Sequence, residues 1–543
     1  MRGRGRRDPD PRRSRLHARV PGRAGLARRA SGADRRRDRR DHEGDHRQVV
    51  RSLISPVLFA GCTPEVAAFD GRIVAVGAKA RAAAGRKAEV VRLRGDAWPG
   101  LIDSHIHLEG LIDRKLAVDL TGAKDLGDVL GRTREWVKPL PKDAWVVGSG
   151  WYNDAWPSAA FPTRRQLDAA VGGRPAYLER KDGHSAWVST AALRAAGIDV
   201  ASENPPGGAI DRDGDGAPTG ILRETAMDMV LRLLPTPSDA DLDAAMTAVL
   251  RDLAALGLTS VHSMDTARAL ASLQRIRVQE PLPVRVTYNM PVADLPHAER
   301  MGVRSGWGDE GLRIWGVKAF LDGSLGSRTA EMLDGSGTVR LTQPDLVDLV
   351  ERCARAELNV CLHAIGDGAV RRALDALAPH RHAWSMWRPR IEHAQCVNPK
   401  DMTRMARLGV IASMQPIHAV ADRELADAMW PDVTKHAYAW RALERAGVKL
   451  AFGSDAPVET ADPLAGIEAA TAWRREAKWH PELALTRASA LRAYTSGAAY
   501  ATGMERDLGT LRSGKLCDMT VVDDGHVVAT VVGGRVTWRR KPA

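Results

Sequence analysis

Several things are scarce in this sequence of 543 residues, and each scarcity narrows the reading. Cysteine is rare: Cys62, Cys353, Cys361, Cys396 and Cys517 are scattered, with no Cys-x-x-Cys pair. That usage fits reduced thiols in a cytoplasmic protein rather than a disulfide framework. No run of about eighteen apolar residues occurs, so no membrane-spanning helix is expected. No Walker-type or dinucleotide glycine fingerprint is present, and no nucleotide cofactor is indicated. No internal repeat breaks the chain into copies.

The first 48 residues lack lysine and aromatics and hold few apolar residues. They carry 17 arginines against seven acids, most of the formal net charge of +12. Such a segment buries too little to offset its ordering entropy, so residues 1–48 are expected to be a disordered Arg-rich tail. An upstream mis-start of translation, a solvated tail and a nucleic-acid arm are the three readings. The last is disfavoured, because no aromatic side chain is there for base stacking. The rest of the chain is near neutral, so its basicity implies no nucleic-acid partner. Arg51 to Cys62 mimics a lipoprotein signal, but Pro56 and the strand patterns that follow favour a first strand.

What is present begins with short strands at both ends. Glu65 to Gly77 reads as a hairpin turning at Asp70-Gly71. Asp518 to Trp538 repeats the theme with a turn at Gly533-Gly534. Isolated hairpins are marginal, so the two ends are expected to share one small β-sandwich domain, 49–97 plus 505–543. Between them, 98–504 alternates apolar strand runs with helical segments. The strand candidates are the stretch Trp98 to His107, then Thr259 to His262, Val284 to Thr287, Ile314 to Lys318, Val360 to His363, Arg390 to His393, Val410 to Met414 and Leu450 to Phe452. Eight strands alternating with helices predict an α/β fold, a (β/α)8 TIM barrel. An insertion of about 110–250 follows the first barrel strand, with strand-like Trp145 to Gly148 and Ala176 to Leu178, turn-rich stretches, and an amphipathic helix over Ser238 to Leu256.

The chemistry concentrates at strand ends. In Pro99 to His107, His105 and His107 are two apart and project from one face of a strand, as neighbouring metal ligands must. Asp103 on that face is expected to orient an imidazole. Lys318, His363, His393 and Asp455 each close a later apolar run, the placement of a TIM-barrel active site. The four strand-end histidines offer neutral imidazoles suited to zinc and similar divalent ions. His262, His297, His380, His382 and His436 lack such a setting and default to structural or surface roles.

From about Leu53 to Arg535 the chain resembles the amidohydrolase superfamily. It is most similar to the amidohydrolase 3 branch, which includes proteins like N-substituted formamide deformylase. The resemblance rests on Pro99 to His107, Gly150 to Pro157, Lys181 to Val188, Lys318 to Ala330, His363 to Asp367, Arg390 to Gln395, Ser413 to Pro416 and Phe452 to Glu459. These motifs are specific for the branch and weakly specific for substrate. They imply a metal-dependent hydrolase of a C–N bond, an amide or N-substituted formamide. Cyclic amides, deamination and ester hydrolysis stay open within the superfamily, as does a non-catalytic binding or regulatory role on the same fold.

The resemblance implies one or two zinc ions held by His105, His107, Lys318, His363, His393 and Asp455. An ammonium would repel the ions, so it further implies that Lys318 is carboxylated to a carbamate (N6-carboxylysine). Asp455 is the expected general base, taking a proton from the attacking water. It also reads as an N-cap of the next helix, and both roles can hold. Candidate substrate contacts are Trp151, Asp182, His184, Arg328, Gln415 and His418, with Tyr152 and Trp156 as further pocket walls; loop packing is the blander reading of all of them. The expected partner is a small-molecule substrate, with no nucleic acid and no membrane, and self-association as a homodimer is left open.

Overall fold

The computed structural model describes residues 55–541. The Arg-rich segment 1–48 lies outside the described residues. Eight parallel strands form the central sheet: β1 (Leu101–Ile106), β2 (Leu258–Ser263), β3 (Arg285–Pro291), β4 (Leu312–Phe320), β5 (Asn359–Ala364), β6 (Arg390–His393), β7 (Ile411–Met414) and β8 (Leu450–Phe452). They lie side by side in chain order. Every residue of β1, β2, β5, β6, β7 and β8 is buried. Burial on both faces is why stretches such as Val360 to Leu362 and Leu450 to Phe452 read as continuous apolar runs rather than alternating ones.

The sheet closes through the segment after β8. The Asp455 N–H donates to the His105 carbonyl at 2.7 Å, and the His107 N–H to the Ala456 carbonyl at 2.8 Å. This seam demands glycine at 453. A Cβ there would sit 2.5 Å from both Asp103 Oδ1 and the His105 nitrogen. The result is a (β/α)8 barrel, as the strand count predicts.

Helices pack around it by their apolar stripes. Asp239–Ala255 buries Leu242, Met246, Val249, Leu250 and Leu253, spaced at three and four residues. Ser238 and Asp241 cap its start reciprocally, each accepting the other's backbone N–H. This helix contributes to the barrel core.

Between β1 and β2 the chain builds a separate six-stranded sheet, in the order Gly208–Arg212, Pro218–Glu224, Ser185–Val188, Ala176–Arg180, Val146–Trp151, Val118–Asp119. Its core holds Trp151, Trp156 and Trp187.

Both ends of the described chain meet in a third sheet of seven strands. The long strand Glu89–Pro99 is its middle, pairing in parallel with Val57–Thr63 and antiparallel with Met519–Asp523. Phe59, Val66, Ile73, Leu93, Met519, Val521 and Val531 share one core across the two halves. Arg285 of β3 fastens this sheet to the barrel. Its Nε and Nη2 lie 2.7 and 3.0 Å from the two carboxylate oxygens of Asp518. Among the described residues, no helix is long and apolar enough to cross a membrane.

Candidate metal centre

The barrel topology carries the strand-end residues to one place. Asp455 Oδ1 lies 3.1 Å from His107 Nε2 and 3.4 Å from His105 Nε2. Asp455 Oδ2 lies 4.0 Å from His393 Nδ1. Lys318 Nζ is 3.2 Å from His105 Nε2. The His363 ring is 4.5 Å, centroid to centroid, from that of His393, which is 4.9 Å from that of His105. All six sequence-predicted candidates therefore converge. His105, His393 and Asp455 each present a donor atom within 4.8 Å of the others'.

Each imidazole has one nitrogen tied to an oxygen acceptor. His105 Nδ1 donates to Glu392 Oε2 at 2.7 Å. His107 Nδ1 meets the Met264 carbonyl at 3.0 Å. His393 Nδ1 meets Gln415 Oε1 at 2.8 Å. His363 reverses the pattern: its Nε2 meets the Gly323 carbonyl at 2.9 Å, and its buried Nδ1 has no partner. Tying one nitrogen to an oxygen acceptor places the proton there and leaves a lone pair on the other, the arrangement a metal ligand needs. Four such imidazoles, one of them with an orphaned buried nitrogen, are a donor set that fits a divalent ion.

The electrostatics agree. Burial, and then the charge of Lys318, pull His105 down to about 4 and His363 down to about 3. Burial and the neighbouring His363 hold His393 well below the usual range. All three are neutral near pH 7. Burial also lowers Lys318 from the ordinary lysine value. Burial alone would raise Asp455, but His105, His107, His393 and His418 outweigh it and keep the carboxylate ionised.

His393 and Asp455 both adopt left-handed backbone, with φ of 71° and 60°. Such conformations cost non-glycine residues about 1–3 kcal/mol each and collect at functional sites. They also settle the N-cap reading of Asp455: the next helix, Pro463–Glu468, is capped by Asp462.

One expectation is corrected here. Asp103 does not orient an imidazole. Its Oδ1 accepts the backbone N–H groups of His105 and Ser454 at 2.9 and 3.1 Å, stitching β1 to the segment after β8. The orienting carboxylate is Glu392, inside the Arg390 to Gln395 motif and not among the residues expected to act at the site. Glu392 and Arg390 are both fully buried, with Nε 2.8 Å from Oε1. Arg390 also reaches Ser413 Oγ at 2.9 Å, His262 Nδ1 at 3.1 Å and the Ser104 carbonyl. Two charges on one face of a strand in a parallel sheet were the available signal, because buried charges come paired.

The expected substrate contacts divide. His418 is near the centre, its unpartnered Nε2 3.7 Å from Asp455 Oδ2. Gln415 is there too, but its Oε1 is occupied by His393. Trp151 is fully buried in the inserted sheet and donates its Nε1–H to the Leu178 carbonyl, so it presents no surface to a ligand. Trp156 packs beside it, whereas Tyr152 is exposed against Arg180. Asp182 pairs with Arg180, and His184 stands exposed beside Glu224. Arg328 is exposed with a φ of 58°. It lines a cavity of about 450 Å³ with Leu325, Met332, Asp367 and Trp430.

Residues 93–538 match the model of the amidohydrolase family. The chain belongs to that family. It is 29% identical over 489 residues to the putative amidohydrolase YtcJ of Bacillus subtilis (strain 168), covering 83% of this chain and 91% of that one. It is 28% identical over 490 residues to the N-substituted formamide deformylase of Arthrobacter pascens, covering 85% and 90%. Among solved structures, an uncharacterized metal-dependent hydrolase from Pyrococcus furiosus superposes with a TM-score of 0.69 at 29% identity, covering 84% of this chain and 95% of that one. The sequence-level resemblance to this family is thereby borne out.

Proposed function

We propose that the protein hydrolyses a C–N bond, in an amide or an N-substituted formamide. The observation that carries this is the Asp455 carboxylate set among His105, His107, His393 and His418 at the mouth of the barrel. The formamide relative supports the substrate class. His105, His107, His363 and His393 would hold the metal through their free nitrogens, with zinc the ion best suited to such donors. A bound divalent ion supplies Lewis acidity, polarising a carbonyl and acidifying a water. Asp455 then acts as the base. It takes a proton from the attacking water and delivers it to the leaving nitrogen, so that water and amide become carboxylic acid and amine.

Lys318 enters as its carbamate. The buried amine, once neutral, attacks CO2, forms an N–C bond and releases a proton. The product is an anionic oxygen donor where an ammonium would repel cations. Lys318→Ala is expected to lose metal and activity, and propionate to restore part of both. Lys318→Arg should fail as well, because a guanidinium cannot become the anion.

The direct test is turnover of N-benzylformamide and a panel of simple N-acylamines, with formate or acid and amine measured together. Equal release of both products, abolished by chelation, is expected. A metal-replete protein inert across formamides, acylamines and lactams, yet active in deamination, would overturn the amide assignment, and one active only on esters would overturn the C–N assignment.

A further inference from the structure

The strand that carries Lys318 ends on an aromatic ring left partly open. Phe320 stands two residues beyond Lys318 on β4 and pairs across the sheet with His363. Its ring centroid is 5.0 Å from the His363 ring and 4.9 Å from Lys318 Nζ. Phe320 is nevertheless 42% exposed. Its free surface therefore adjoins the candidate centre, beside two of its six residues.

A guanidinium rests on the same ring. Arg340 Cζ lies 5.6 Å from the Phe320 centroid. Its backbone N–H donates to the Leu321 carbonyl at 2.8 Å, which anchors residue 340 next to the end of β4. Among the described residues, its side chain takes part in no ion pair and no hydrogen bond. The acids of the intervening excursion are used elsewhere. Asp322 accepts the backbone N–H groups of Glu331, Ile365 and Gly366. Glu331 pairs with Arg372 at 2.9 Å. Asp334 accepts the Ser336 N–H at 2.8 Å.

An exposed arginine stacked on a phenylalanine is common and often idle. This pair differs in its place, because the ring it stacks on also touches Lys318 and His363. We infer that Phe320 and Arg340 form a substrate subsite for a flat apolar arm ending in a carboxylate. The ring offers a face or edge for an aryl group, and the guanidinium fork matches a carboxylate in bidentate fashion. The preferred substrates are then amides or formamides whose substituent carries an acid, such as a carboxyaryl group. This rests on the hydrolytic reading of the adjoining centre, and the two can fail separately.

The test uses the full chain in two measurements. The first is calorimetric binding of 4-methylbenzoate against 4-methylbenzyl alcohol. The wild type should bind the acid at least about tenfold more tightly, and Arg340→Gln should cut that preference by about tenfold. Arg340→Lys should restore part of it, and Phe320→Ala should weaken both ligands. No detectable binding of the acid, or a preference unmoved by Arg340→Gln, would overturn the subsite. The second is the ratio of kcat/KM for N-(4-carboxybenzyl)formamide to that for N-benzylformamide, which should fall about tenfold in Arg340→Gln and invert in Arg340→Glu. If binding behaves as expected and neither these formamides nor any N-acylamine or lactam turns over, the hydrolytic reading fails and the subsite stands. If both turn over with a ratio the variants do not change, the subsite fails and the hydrolytic reading stands.

Discussion

Glu392→Gln isolates the buried support of the metal centre without touching any candidate ligand. The wild-type carboxylate is fully buried between Arg390 Nε at 2.8 Å, Arg390 Nη2 at 3.1 Å and His105 Nδ1 at 2.7 Å. Burial alone would raise its pKa, yet Arg390 and His105 outweigh it and hold the group well below the usual carboxylate range. Glutamine keeps the shape and one acceptor oxygen but removes the charge. Arg390 then stays fully buried with only neutral partners, Ser413, His262 and the Ser104 carbonyl. Breaking a buried pair from one side costs about 3–5 kcal/mol, and the remaining partners place this case near 3. Unfolding entropy of about 2.1 cal/mol/K per residue gives about 1 kcal/mol/K for a chain of this size, so Tm should fall about 3 °C. The His105 imidazole also loses its strongest orienting contact, which should weaken metal binding by about 10–100-fold. Thermal unfolding of the chelated protein reads the first effect, and zinc titration against a chromophoric competitor reads the second. A Tm within 1 °C of wild type together with unchanged zinc affinity would refute the assignment of Glu392 as the residue that holds His105.

Other outcomes follow from the same structure. Asp455→Asn should keep the fold and most of the metal but lose about 10²–10⁴-fold in kcat on an identified substrate, and near-native turnover would remove Asp455 as the base. Asp518→Ala strips the partner from Arg285 where the terminal sheet meets β3, and should destabilise the protein by about 3–5 kcal/mol in denaturant unfolding while leaving KM unchanged. An effect under about 1 kcal/mol would mean the pair is solvated in solution. Removing residues 1–48 should leave Tm and metal content as they were, given the composition of that segment; a large drop in either would show that the segment contributes to the fold.

The barrel was legible because its strands are buried on both faces, so several of them, such as Val360 to His363, appear as an apolar run with a polar residue at its end. The same fact made His105, His107, Lys318, His363, His393 and Asp455 legible, since strand ends in a closed barrel share one mouth. Asp103 misled because strand alternation puts it on the face of His105. The His105 N–H claims its carboxylate from two residues away, and the Ser454 N–H claims it only once β1 and β8 are brought together, a contact across 351 residues. Glu392 was obscured by its neighbour: the Arg-x-Glu-His run drew attention to His393, and which histidine Glu392 serves depends on the barrel's closure. Trp151 was misplaced because an aromatic in a turn-rich insertion looks like a pocket wall, whereas the insertion has its own sheet and needs a core. Gln415 was placed near the centre correctly, but only the packed structure gives its oxygen to His393.

The central claim is that these six residues form a metal-dependent hydrolytic centre, and metal stoichiometry tests it most directly. The protein should be purified without added metal, measured for divalent ions per chain, then chelated, reloaded with zinc and assayed on N-benzylformamide at each stage. The account predicts one to two ions per chain as isolated, loss of hydrolysis when they are removed, recovery on reloading, and no stoichiometric metal in Lys318→Ala without propionate. A chelated, metal-free protein that releases formate and benzylamine at the undiminished rate would contradict it.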